Sequence, residues 1–336
     1  MTTPGEPITT PAKLEPQSAA LSMVVAWMGN RFYRTFRPSE EEPSAFDAIL
    51  TQRDRRIGVT IGLLADNDPT APAGAATEHE TNNVAFAELL TSDLDQPGGY
   101  ALWLPPGAVI PTEEPARSDL RILLSNGLSG LNPGDHREVR IPIILKLAKI
   151  ETDGAYVSVT GGLSSQWTTI SEGIVGAFHL DSRPLHRRPA ETAELDIIIS
   201  RVRDRAALLN AEEVTDVKVH DYWLVTRLPD SAPQGVVVIG GPPELDPRDG
   251  VPVRRSFRRH VTRAVEQRQS GDCELSVLIL VGALAHMEDE LVTSALRGMN
   301  PAAYGALDLI VLVADGSVRQ VLQPRSLPWE QERAPS

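Results

Sequence analysis

An α/β or α+β protein is predicted, with a mixed sheet in the N-terminal and central region packed on a C-terminal α/β unit. Three observations lead there. Leu21, Val24, Val25, Met28 and Phe32 fall at helical spacing, which predicts an amphipathic helix of about four turns near the start. Between residues 100 and 180 several short β-rich segments are separated by turn-formers such as NPGDH and ETDG. After Asp221 strands and helices alternate, and the runs VLILV and LIVLV lack polar alternation, as strands covered on both faces do.

Taken in order, residues 1–16 hold four prolines and no periodicity and read as a tail, as do residues 324–336. The helix from Gln17 leads into PSAFDAILTQRDRRIGVTIGLL at residues 43–64, a strand, a basic turn and a second strand. Residues 66–83 are rich in Pro, Ala, Asn and charge and read as a long loop. GYALWL, DLRILL, EVRIPIILKLAKI, AYVSVT and GAFHL read as strands of a curved or antiparallel sheet, followed by a helix with Leu195, Ile198, Ile199, Val202, Ala206 and Leu209 on one face. Then come YWLVTRL, GVVVIGG, a helix over 254–268, LSVLILV, a helix over 287–297, LDLIVLVA and a last short strand after Gly316. The expected division is a mixed α+β region over 17–220 and an α/β unit over 221–323.

The composition narrows the function. At 336 residues, 41% hydrophobic and 23% charged, the chain is long enough for one large or two modest cores. It has no apolar run long enough for a membrane span and no basic-then-apolar start, so the expected address is the cytoplasm, with no membrane partner. Cys273 is the single cysteine, which rules out an intramolecular disulfide or a thiolate metal cluster within one chain; at the head of an apolar strand it reads as a small buried filler. A net charge of −13 opposes broad affinity for nucleic acid, and 5% aromatic residues make no base-stacking platform.

The hairpin at 43–64 carries the most specific chemical pattern. Two adjacent antiparallel strands can offer hard oxygen ligands to a divalent metal that activates water, and Asp47 is placed for the first of them. From residue 17 to 64 the chain resembles the PD-(D/E)xK, or restriction-endonuclease-like, nucleases. In these an aspartate near the start of one strand is followed in the next by an acidic residue, any residue and a lysine. The resemblance implies Asp47 as catalytic metal ligand and Mg²⁺ as cofactor, with Glu40, Glu41 and Glu42 where a helix-borne glutamate occurs. The departures are Thr60 at the second carboxylate, Gly62 at the lysine, and Ala45 and Phe46 in place of the proline context. They imply an inactive or strongly diverged member.

Basic residues form the second pattern. Arg255, Arg259 and Arg263 recur every four residues opposite the apolar face of the 254–268 helix, and arginine forks match phosphate or carboxylate geometry. The competing reading of this stripe is a solvated helix face with local pairing, helped by Glu266; Arg187 and Arg188 in SRPLHRRP, with Arg53, Arg55 and Arg56, make two further clusters. GGPPELDPRDG from Gly240 stands where dinucleotide proteins keep a phosphate loop, but Pro242 and Pro243 remove two amide donors and no GxGxxG is present. His179, Asp181 and His186 form one local cluster and His286, Glu288, Asp289 and Glu290 another, neither with the spacing of a zinc motif. Ser164 and Ser165 lack a nucleophile elbow, and Trp103, Trp167 and Trp223 read as core anchors.

The expectation drawn from these residues is a non-catalytic interaction or accessory protein that engages a protein partner, or a short stretch of nucleic acid, through Arg55, Arg56, Arg187, Arg188, Arg255, Arg259 and Arg263. The first alternative is a metal-dependent nuclease that uses Asp47 with a second carboxylate from Asp54, Asp66 or Glu40 to Glu42. The second is an enzyme of unrelated class with a pocket at the carboxyl ends of the C-terminal strands, near Gly240 and Gly282.

Overall fold

The computed structural model describes residues 14–39, 45–64, 77–241, 250–271, 273–282 and 299–331. Pro16 occupies the first turn of α1 (Pro16–Phe32), Ser18 Oγ accepts from the Glu15 amide at 2.9 Å, and Tyr33 ends the helix in the left-handed region. β1 (Arg37–Pro38), β2 (Ala48–Gln52) and β3 (Arg55–Leu63) follow, the last two joined by the two-residue turn Arg53–Asp54. Next come α2 (Glu78–Ser92), β4 (Gly99–Leu104), α3 (Ala116–Leu128), β5 (His136–Glu151), β6 (Ala155–Gly161), α4 (Trp167–Ser171), β7 (Gly176–Ser182) and α5 (Thr192–Leu208). β8 (Val214–Arg227), β9 (Gly235–Gly240), α6 (Gly250–Ser270), β10 (Leu275–Gly282), β11 (Leu309–Ala314), β12 (Ser317–Leu322) and α7 (Pro328–Gln331) complete the described elements.

The strands form two mixed sheets. The first has the order β1-β2-β3-β10-β11-β12, with β3, β10 and β11 parallel to one another, and the second β6-β7-β5-β8-β4-β9. The chain leaves the first sheet after β3, builds the whole second sheet, and returns through α6 to set β10 beside β3, where Leu275 pairs with Ile57. α6 therefore serves as the crossover of a parallel pair, as a crossover helix between parallel strands must.

Both faces of the first sheet are covered. On one, Val253, Phe257, Val261 and Ala264 of α6 pack on Leu278, Leu280, Ile310 and Leu312. On the other, Val59, Ile61, Val277, Ile279 and Val311 meet α1 together with Ala101, Trp103, Val237 and Ile239 of the second sheet. α1 is thus held between sheets, which explains why Ala19, Ala20 and Met23 are buried along with Val24, Met28 and Phe32 of the stripe read from spacing, while Leu21 and Val25 are half-buried. α2 and α3 cover β4, β8 and β9, clasped by Arg121, whose guanidinium binds Asp93 at 2.5 and 2.6 Å and holds that carboxyl below its ordinary range. α5 covers the β5, β7 and β8 end.

The α/β class stands, with corrections of detail. DLRILL is helical, not a strand: Leu120, Leu124 and Leu128 are buried at a spacing of four, a period that six residues are too few to display. Residues 77–83 belong to α2 rather than to a loop; Thr77 Oγ1 accepts from the Glu80 amide and Glu80 reaches back to the Thr77 amide, a T-x-x-E capping box. The division expected at Asp221 falls inside β8, and the hairpin β2–β3 shares a sheet with β10–β12. Strand pairing over that sequence distance leaves no local signature. The end of the chain, read as a tail from 324, is packed as far as Trp329, which stacks near Phe32 and Phe36. The helix expected over 287–297 lies outside the described residues.

Thr60 and Gly62 face α6 along β3, and a Cβ at Gly62 would overlap the His260 ring. Gly62→Ala should cost about 1–3 kcal/mol through overpacking, read as a lower denaturant midpoint with an unchanged m-value.

Candidate functional site

The hairpin that suggested a nuclease is bound up in packing. Asp47 Oδ2 accepts from the Ile61 amide at 2.7 Å, while its Oδ1 is paired with the Arg263 guanidinium. The carboxylate thereby extends the β2–β3 ladder by one acceptor, and Arg263 closes it from α6. Thr60 Oγ1 donates to Gln267 Oε1 at 2.5 Å. His260, buried over Gly62, places Nε2 3.1 Å from the Leu63 carbonyl. Phe46 wedges between Gly58 and Gly271 and packs with Ile49 and Cys273. Thr60, Gly62 and Phe46, three of the departures from the nuclease pattern, thus each have a partner on α6 or at its end. A glutamate at position 60 or a lysine at 62 would have to push the helix off the sheet.

The arginines do not form one surface. Arg263 is spent on Asp47. Arg187 is buried and paired with Asp315 in the β11–β12 turn, which takes it off the surface expected for it from the sequence. Arg188, exposed, donates to Ser165 Oγ at 3.1 Å. Arg56 is exposed and Arg55 half-buried at the start of β3, whereas Arg255, exposed, and Arg259, half-buried, lie on the helix that starts beside the far end of that strand, where Ser256 reaches Leu63. The length of β3 alone separates these two groups by roughly 20 Å. Asp54, exposed, sits in the hairpin turn at that same start; Glu40, Glu41, Glu42, Asp66 and the His286 cluster lie outside the described residues.

The predicted His179, Asp181, His186 cluster holds only in part, with His179 and Asp181 near each other on β7 and His186 turned away. Asp181 pairs with Arg183, which holds it below the usual carboxylate range, and His186 turns to Asp221. Asp221, buried in β8, accepts from the amides of His186 and Arg187 at 3.1 and 2.7 Å and from Trp223 Nε1 at 2.9 Å. This carboxylate, invisible to motif reading, pins the 182–190 loop to the sheet. Trp103 is a core anchor as expected, donating to Thr226 Oγ1, but Trp167 is half exposed beside Tyr156. Among the described residues no group of three His, Cys, Asp or Glu side chains is placed to hold a metal ion.

What the fold does bring together is a cleft of about 1130 Å³ at the carboxyl ends of β3, β9 and β10, where Leu63, Gly240 and Gly282 meet α2 and the start of α1. Strand ends of parallel pairs are where α/β sheets keep their ligand sites. The wall from α2 presents His79, Asn83, Glu88 and Thr91. Asn83 is more than nine-tenths buried; its Nδ2 lies 3.1 Å from His79 Nε2, and its Oδ1 has no hydrogen-bond partner.

Two outcomes test these assignments. Removing one partner of the buried Arg187–Asp315 pair leaves an uncompensated charge, so Arg187→Gln should lose about 3–5 kcal/mol in chemical denaturation, where a surface binding arginine would lose almost nothing. His220 on β8 has its pKa lowered from 6.5, first by burial and then by Arg201 and Arg140. Its unfolded form takes up a proton before the folded form does, so stability falls as pH drops below 6.5. The denaturation midpoint of His220→Gln should fall less than that of the wild type on going from pH about 7.5 to about 5.5.

Comparison with family models, with curated proteins and with solved structures finds no match for this chain.

Proposed function

We propose that the protein is a non-catalytic binding protein for a protein partner, with the cleft between α2, β9 and the carboxyl ends of β3 and β10 as its binding surface. The observation that carries this reading is the state of Asp47: one oxygen is taken by the Ile61 amide and the other by Arg263. Neither offers a divalent metal an open ligand without breaking the seat of α6. On this reading the restriction-endonuclease-like outline of residues 17–64 is scaffold, retained for its helix and hairpin. The net charge of −13 and the pairing of Arg187 and Arg263 favour a protein partner over nucleic acid.

Supercoiled plasmid incubated with Mg²⁺ or Mn²⁺ should stay intact with the wild type and with Asp47→Asn alike, and short labelled duplex DNA should show no salt-dependent binding. Cleavage by the wild type that Asp47→Asn loses would establish the nuclease instead.

A further inference from the structure

The cleft has a one-sided chemistry. Its described lining includes Glu15, Glu80, Glu88 and Asp95 and no lysine or arginine. The buried Asn83 Oδ1 adds an acceptor that lacks a donor. Such a wall favours a ligand that is cationic and rich in donors, and repels phosphates and carboxylates.

The other wall is a strand edge. β9 ends the second sheet, pairing with β4 alone among the described strands. Gly235 N donates to Gly98 O at 3.0 Å, so in this parallel ladder Gly235, Val237 and Ile239 turn their amides and carbonyls toward β4. Val236, Val238 and Gly240 turn theirs the other way. Thr91 Oγ1 accepts from the Val236 amide at 2.8 Å, which confirms the direction and closes the first outward donor. The positions beyond it, Val238 and Gly240, line the cleft.

We infer that the cleft takes an extended, basic segment of a partner protein, added as a further strand along β9 from Val236 to Gly240, with a lysine or arginine side chain directed to Asp95. Main-chain pairing supplies affinity in strand addition and side-chain chemistry supplies selection. This inference rests on the non-catalytic, cleft-binding reading above and specifies its ligand.

The test is fluorescence anisotropy with a labelled peptide of alternating Lys and Val, six residues long to match β9. The same peptide with Glu for Lys, a labelled DNA duplex, and unlabelled spermine as competitor are the further arms. Two variants accompany the wild type, each checked by thermal unfolding. Val238→Pro removes an outward amide, a place where an edge strand tolerates proline. Asp95→Asn neutralises an exposed charge without touching the strand. The Lys peptide should bind with an affinity that falls with salt, the Glu peptide should not bind, the charge variant should weaken binding roughly fivefold, and Val238→Pro should abolish it. Absence of Lys-peptide binding, equal binding of the Glu peptide, or unchanged binding by both variants overturns the inference. Spermine displacing a peptide that Val238→Pro still binds overturns it in favour of a small polycation. Binding of the duplex instead of either peptide overturns the parent reading as well.

Discussion

The close seat of α6 on β3 is the constraint on which the rest of the molecule depends. A helix can approach a strand this nearly only where the strand shows it little side chain, and β3 shows Thr60 and Gly62, with the Phe46 ring filling the space over Gly58. The contact is completed by polar groups that leave few loose ends: Thr60 with Gln267, His260 with the Leu63 carbonyl, Arg263 with Asp47. Because α6 is also the crossover that sets β10 parallel to β3, loosening this contact would unpair strands from opposite ends of the chain. The second sheet is in effect a long excursion that must close at this joint.

A second joint ties that excursion back. Asp221 gathers the amides of His186 and Arg187, and Arg187 carries the link across to Asp315 in the turn between β11 and β12. Gly316 in the same turn adopts a left-handed conformation and lies against Thr226, where any side chain would collide. Thr226 in turn accepts from Trp103, at the centre of the core shared by both sheets and α1. A buried ion pair between two sheets is a costly way to add stability and a selective way to fix their register, since an unpaired partner is penalised heavily.

With both joints closed, residues that resemble chemistry become structure. An aspartate at a sheet edge and an arginine on a helix have opposite meanings when apart, a metal ligand and an anion site, and cancel when 216 positions of sequence separation are folded into contact. The cleft lies apart from these joints, and carboxylates, the unmatched Asn83 amide oxygen and a strand edge coincide there.

Local patterns were legible from residues alone. Unbroken apolar runs marked β10 and β11 because both faces of those strands are covered, and helical spacing marked α1, α5 and α6. α2 carried a readable T-x-x-E signal that its polar surroundings obscured, and α3 was misread because six residues cannot separate a period of two from one of 3.6. The departure of Thr60 and Gly62 from a nuclease pattern was equally plain in the letters, but its cause was not. Propensity, periodicity and charge act over a few residues and are written in the chain. Which strand lies beside which, which carboxylate meets which guanidinium, and where a cleft is left open depend on contacts between distant segments. Those contacts leave no mark on the letters of either segment until the helix is seated on the sheet.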